Sequence, residues 1–213
     1  MDTNFTNIPS PKLTRIGLTG GMGSGKSCVA LLLRQAAIAV LDLDQIGREL
    51  TNTDPRILAK IQALFSKAVV TPEGKLDRHK VKEIIFSDTA SRQALEAFLH
   101  PLIWESFIAR TEELAKQGKR LVICEAALLI ESGIHKKLDG LILVTAPEEV
   151  RRQRVIDRDR VTALLAEKMI RTQLKDTEKH RPATVVIENK GSLADLALRV
   201  QELLETWRAE GLI

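Results

Sequence analysis

The run Gly20-Gly21-Met22-Gly23-Ser24-Gly25-Lys26-Ser27 constrains this chain more than any other stretch. It spells glycine, four residues, glycine, lysine and a hydroxyl residue, set between an apolar β-branched run at 15–19 and a helical pattern at 27–35. Glycines at this spacing let successive backbone N–H groups turn inward, and a helix N-terminus just beyond adds positive potential. The unit is a cradle for phosphate. In such a cradle Gly21, Met22, Gly23, Ser24 and Gly25 wrap the phosphates with Cys28 just beyond. Lys26 reaches the β- and γ-phosphates, and Ser27 holds Mg²⁺. A merely flexible glycine turn is the bland alternative, and the strand before and helix after it argue against that.

Four further short runs, at 38–41, 121–124, 141–145 and 185–188, alternate with helix-length amphipathic segments, without internal repeats or low-complexity tracts. Strands alternating with helices predict an α/β fold, a five-stranded parallel sheet flanked by helices. The stretch between the second and third runs is longer than one crossover helix needs and reads as helical at 54–65, 77–86, 91–99 and 102–116. Turns are expected at 71–74 and at His100-Pro101. The expected organisation is a nucleotide-binding core at 14–50, 119–146 and 182–213, an inserted helical subdomain at 51–118, an Arg-dense lid at 147–181 and a disordered tail at 1–13.

Composition removes several classes of function. Apolar runs such as 29–33 and 36–41 fall far short of the roughly 18–20 residues that span a bilayer. The polar opening up to Lys12 lacks the apolar run of a signal peptide. A cytoplasmic protein with no membrane partner is expected. Lys and Arg total 32 against 28 Asp and Glu, there is no Tyr, and aromatic residues make up 3%. With so few stacking platforms and a net charge of only +4, an anionic small molecule is a better partner than nucleic acid. Cys28 and Cys124 each lie in an apolar run, away from His or a second Cys, and read as buried thiols. The nearest approach to a guanine-reading Asn-Lys-x-Asp is Asn189-Lys190-Gly191-Ser192, which ends in Ser. A small-molecule kinase therefore leads over a GTPase or motor.

Around the cradle, Asp42 and Asp44 follow the second run at period-two spacing, so on a continuing strand they share a face at its carboxyl end. Either can take a proton from an attacking hydroxyl or bind Mg²⁺, and either can simply cap the helix that follows. Glu125 ends the third run where an acidic group near the metal is expected, whereas Glu131 suits a cap or a solvated position. Arg151, Arg154 and Arg158 share one helical face, with Arg152 and Arg160 completing the densest basic cluster. That face either closes over transferring phosphates or is solvated and paired with Glu148, Glu149, Asp157 and Asp159. His100, before Pro101, either orients two helices or touches substrate.

The string Gly17-Leu18-Thr19-Gly20-Gly21-Met22-Gly23-Ser24-Gly25-Lys26-Ser27 followed by Leu41-Asp42-Leu43-Asp44 resembles the dephospho-coenzyme A kinases. The likeness continues through Gly74-Lys75-Leu76-Asp77-Arg78, Leu99-His100-Pro101-Leu102-Ile103, Leu128-Leu129-Ile130-Glu131, Arg154 to Arg158-Asp159, and Val186 to Ser192, in order over about 14–205. It implies a P-loop kinase fold, ATP and Mg²⁺, and phosphorylation of the ribose 3′-hydroxyl of dephospho-coenzyme A. It further implies that Asp44 is the base, and that Arg154 and Arg158 belong to a lid. Arg48, Arg78 and His100 would belong to the acceptor side, and Asn189 and Gly191 to the loop beside adenine. A monomer is expected. Where the family usually reads Asp-x-Pro-Leu-Leu, this chain reads Glu125-Ala126-Ala127-Leu128-Leu129. Another P-loop kinase of a nucleotide or small alcohol, or a non-catalytic nucleotide switch, are the competing readings.

Overall fold

The computed structural model describes residues 13–65 and 69–213. The tail expected at 1–13 lies outside the described residues apart from Leu13, which is buried. The chain begins with β1 (Thr14–Gly20), α1 (Lys26–Gln35) and β2 (Ala39–Asp42). Four helices follow, α2 (Leu43–Thr53), α3 (Pro55–Phe65), α4 (Arg78–Ser87) and α5 (Thr89–Lys116). Then come β3 (Leu121–Glu125), a 3₁₀ turn (Ile134–Lys137), β4 (Gly140–Thr145), α6 (Glu148–Asp159), α7 (Ala163–Arg171), α8 (Asp176–His180), β5 (Val185–Glu188) and α9 (Leu193–Ala209).

The strands form one five-stranded parallel sheet in the order β2-β3-β1-β4-β5. β1 pairs with β3 from Thr14↔Leu121 to Leu18↔Glu125, and with β4 from Ile16↔Gly140 to Gly20↔Val144. Strands covered on both faces need uninterrupted apolar sequence, and Leu121 to Cys124 and Leu141 to Val144 are buried throughout. Strand order reverses at β1, which places the ligand crevice of an open α/β sheet beyond its carboxyl end. The glycine run leaves the sheet at that point.

Two compact units result, one formed by Leu114–Ile213 with the segment up to Leu41, the other by Asp42–Glu113. Contacts divide the chain at 41/42 and 113/114, against the 50/51 and 118/119 drawn from sequence. The reason is α2, whose Leu50 packs against the cluster of Ile57, Ile61, Phe65, Val81 and Leu95 that forms the helical unit's core. The sheet unit is held by Ile16, Leu18, Ile123, Ile142 and Val144 against α1 (Val29, Leu33) and α9 (Val200, Leu203, Trp207). Trp207 is fully buried, and truncating such a residue to Ala costs about 3–5 kcal/mol.

Two expectations are corrected here. The helix break at His100-Pro101 is absent, because α5 runs unbroken through Pro101 for 28 residues. Pro101 denies a hydrogen bond to the carbonyl of Ala97, but both residues are exposed, so water can satisfy that carbonyl. The expected period-two face of Asp42 and Asp44 also fails, because the strand stops at Asp42. The Asp42 carboxylate caps α2, accepting from the N–H groups of Asp44 (2.8 Å) and Gln45 (3.1 Å), and Asp44 already sits in the helix. By contrast the turn expected at 71–74 is present, closed by Gly74 N–H donating to Thr71 O at 2.9 Å.

Candidate active site

The glycine run is built as a loop with no room for a side chain at its glycines. Ser24 N–H donates to Gly21 O at 3.0 Å, and Cys28 N–H donates to Gly25 O at 2.9 Å as α1 begins. Gly25 has φ of 92°, in the left-handed region, and a Cβ there would run into the side-chain amide of Asn189. A Cβ on Gly23 (φ 76°) would meet Arg151 O at 2.5 Å. The loop encloses a cavity of about 350 Å³, lined by residues from Gly20 to Cys28 together with Ala127, Arg154, Arg158 and Gln173. Cys124 is buried as expected, but Cys28 is exposed, which corrects its reading as a buried thiol. The helical turn that sends Val29, Ala30 and Leu33 into the core carries Cys28 and Leu31 to the opposite side.

Polar braces hold the loop from outside. Asn189 is buried, and its Nδ2 donates to Ser24 O at 2.8 Å while its N–H donates to Thr145 O at 2.7 Å. Arg154 Nη1 donates to Gly23 O (3.3 Å) and Ser24 O (3.4 Å), and its Nη2 donates to Asn189 Oδ1 at 3.3 Å. Arg151, at 6% exposure, donates through Nε to Met22 O (2.9 Å) and through Nη1 to Asp176 (2.9 Å). Gln173 Oε1 accepts from Met22 N–H at 2.7 Å. Of the three arginines on one helical face, two therefore grip loop carbonyls. Arg158 instead donates to Asp159 at 2.7 and 2.8 Å and stays largely exposed beside the cavity, the Asp159 carboxylate holding its pKa above the usual guanidinium value.

Beneath the loop, Lys26 Nζ donates to Glu125 Oε1 at 2.7 Å, and Arg34 Nη2 donates to Glu125 Oε2 at 3.0 Å. Both oxygens of this buried carboxylate are thus engaged by cations. Ser27, expected to hold a metal, is exposed in the first turn of α1 and lines the cavity. Ser24 Oγ is buried and has no hydrogen-bond partner among the described residues. Gly191 follows Asn189 before the capping box of Ser192 and Asp195 that opens α9. Glu131, read as a cap or a solvated residue, pairs with the fully buried Lys179 at 3.2 Å.

The helical unit has its own cavity, of about 240 Å³, mostly apolar and lined among others by Leu43, Ile61, Leu95 and Ile103. Its charged lining comes from Asp44, Arg48, Arg78 and Lys82. Arg78 Nη2 donates to Thr51 Oγ1 (2.8 Å), Asn52 Oδ1 (3.0 Å) and Arg48 O (3.2 Å), tying α4 to α2. Partial burial, reinforced by repulsion from Arg48, lowers the Arg78 pKa from its usual value, so an anion between the two guanidinium groups would be favoured. Arg48 Nε donates to Asp44 O at 3.3 Å. His100 does not line this cavity and lies on the exposed side of α5, so it orients no helix ends.

Sequence reasoning missed Arg34, Gln173 and the bracing role of Arg151. Each bridges residues far apart in the chain, and none belongs to a motif. Only the lone basic residue in the last turn of α1, two turns beyond Lys26, was a visible hint for Arg34.

A glycine loop between strand and helix, at the strand-order reversal of a five-stranded parallel sheet, defines the class of P-loop kinases. The family model described as Dephospho-CoA kinase matches residues 14–195, and the chain belongs to that family. A dephospho-CoA kinase from Bacillus licheniformis is 36% identical over 192 residues, covering 90% of this chain and 96% of the relative. The crystal structure of TT1252 from Thermus thermophilus matches at TM-score 0.79 and 37% identity, covering 92% of this chain and 98% of that one. Dephospho-CoA kinase from Campylobacter jejuni matches at TM-score 0.71 and 25% identity, covering 93% and 98%. Among the described residues, no helix is long and apolar enough to cross a membrane.

Proposed function

We propose that the protein transfers the γ-phosphoryl group of ATP to the ribose 3′-hydroxyl of dephospho-coenzyme A, the last step of coenzyme A synthesis. The observation that carries this reading is the braced glycine loop with Lys26 at its end, in a chain of the dephospho-CoA kinase family. In the transfer, the 3′-oxygen bonds to the γ-phosphorus and the bond to the β–γ bridging oxygen breaks. ADP leaves, and the hydroxyl proton passes to Asp44. Lys26 and the loop N–H groups neutralise and orient the phosphates, and Arg154 and Arg158 border the phosphoryl side, Arg154 chiefly by keeping the loop's carbonyls turned outward. Residues 147–181 act as the lid that excludes water, and the Asn189 to Gly191 loop supports the adenine side.

The donor set suits Mg²⁺, a hard cation that takes few protein ligands beside nucleotide phosphates. Ser27 offers a hydroxyl from the cavity wall, and the orphaned Ser24 Oγ leaves a polar atom in the loop for an oxygen-rich ligand. Ser27 would hold the ion, with Asp44 as the second candidate, whereas Glu125 is already committed to two cations. When bound, Mg²⁺ supplies charge neutralisation at the phosphate oxygens. On the acceptor side, the helical unit's cavity offers apolar surface for an organic body and Arg48 and Arg78 for its phosphates. A cytoplasmic monomer belongs to the same proposal.

The test incubates purified protein with Mg-ATP and dephospho-coenzyme A, with adenosine, AMP and no-acceptor controls, and follows products by mass spectrometry. Coenzyme A formed in step with ADP is the expected result. ADP without coenzyme A, or phosphorylation of adenosine or AMP instead, would overturn the acceptor assignment.

A further inference from the structure

We propose that Arg34 is a positioning residue that acts through Glu125 to keep Lys26 available to the nucleotide. This deepens the reading of the glycine loop as an ATP site and rests on it. Glu125 closes β3 with its side chain 5% exposed. Lys26, at the start of α1, and Arg34, in its last turn, each take one of its two oxygens, at 2.7 and 3.0 Å. Two cations and one anion leave the cluster with one net positive charge.

Without Arg34 the cluster would sum to zero. Glu125 would then be a buried carboxylate with Lys26 as its one cationic partner in this cluster, and such a pair resists separation because each charge left alone is poorly solvated. A triphosphate entering the cavity would have to draw Lys26 out of that pair. With Arg34 in place the carboxylate keeps a cation when Lys26 turns to phosphate, and the positive charge stays on the cavity side. The Arg34 side chain is 42% exposed, so it contributes little to the core of α1. Its reach to Glu125 is therefore better explained by charge than by packing.

The experiment measures Mg-ATP binding by calorimetry without acceptor, and steady-state transfer to dephospho-coenzyme A, for the full chain and four variants. Arg34→Gln is expected to weaken ATP binding about tenfold, the scale of one charge-assisted contact, with the KM for dephospho-coenzyme A unchanged. Arg34→Lys, which keeps the charge, should restore most of that affinity. In a Glu125→Gln background, adding Arg34→Gln should cost nothing further. A melting temperature unchanged from wild type accompanies the expected result. Wild-type ATP affinity in Arg34→Gln, no rescue by Arg34→Lys, or an equal loss in the Glu125→Gln background would each overturn the proposal. A wild-type protein that binds ATP but makes no coenzyme A sinks the acceptor reading and leaves this binding test standing. One that does not bind ATP overturns both.

Discussion

The two units build their cavities by opposite means. In the sheet unit the wall is backbone, a loop whose shape is fixed by glycines and held from outside by Asn189, Arg151, Arg154 and Gln173. In the helical unit the wall is mostly apolar side chains, with Asp44, Arg48, Arg78 and Lys82 as charged points. A backbone cradle binds whatever carries phosphate. A cavity of side chains selects by shape, so what the second cavity accepts rests on a few residues that no spacing rule marks. The first cavity should fail abruptly when charge or shape is lost, and the second should fail selectively.

The sharpest break is Lys26→Ala. If Lys26 neutralises the phosphates as proposed, removing it should lower transfer by about 10³-fold or more, measured as single-turnover coenzyme A formation. Near-wild-type turnover would take the loop out of the chemistry. Next is Asp44→Asn, where loss of the proposed proton acceptor should lower kcat about 10²-fold with little change in ATP affinity. If ATP affinity alone fell, Asp44 would be a metal ligand and not the base. Asn189→Ala sharpens the comparison from the sheet side. It removes the buried donor to Ser24 O, a change worth about 1–3 kcal/mol, and should raise the KM for ATP about tenfold while leaving that for dephospho-coenzyme A unchanged. Equal effects on both substrates would mean that the brace does more than shape the nucleotide loop.

The same contrast explains what could be read from sequence. The glycine loop and the five strands were legible because backbone requirements leave strict local patterns, glycine at fixed spacing and short apolar or β-branched runs. The Arg34 and Gln173 contacts were not, since they join residues 91 and 151 positions apart through single side chains. Local rules also misled where surroundings override them. Pro101 signals a helix end, yet α5 continues through it, and with Pro101 and Ala97 both exposed water can reach the carbonyl it leaves without a donor. Asp42 and Asp44 fit a strand's alternation, but Asp42 turns out to be the cap that ends the strand. Cys28 opens an apolar run whose helical phase exposes it.

A smaller effect concerns stability. Helix α1 ends in a Schellman arrangement, with Ile38 N–H donating to Leu33 O and Ala37 N–H to Arg34 O, both at 3.0 Å. The residue in the left-handed position is Ala37, at φ 62°, where glycine is the usual choice. Relief of the Cβ clash outweighs the added chain entropy of glycine, so Ala37→Gly should stabilise the protein by about 0.5–1 kcal/mol in urea unfolding. A loss of stability would show that the surrounding turn relieves the strain.

The smallest expected effect tests whether the units respond separately. Among its described residues, the helical unit carries at least five carboxyl groups held below their ordinary range. Asp54 is held chiefly by the Arg56 side chain, Glu49 by Arg110, Glu73 by Thr71, Asp77 by the Lys80 N–H and Asp88 by Ser91. In the sheet unit, Glu188 is lowered by Lys190 and Asp195 by Ser192. A carboxyl whose folded pKa is depressed adds stability above its unfolded pKa, near 4, and loses it as pH falls through the folded value. Acid should therefore loosen the helical unit first. The chain's two tryptophans report on one unit each, Trp104 stacked on Phe107 in the helical unit and Trp207 in the core of the sheet unit. In Trp207→Phe, the Trp104 fluorescence should begin to change at higher pH than does the Trp207 fluorescence in Trp104→Phe. Because none of these groups is buried, salt should narrow the gap. Coincident transitions at low salt would mean that the two units unfold as one, and that the uneven spread of capped carboxylates has no local consequence.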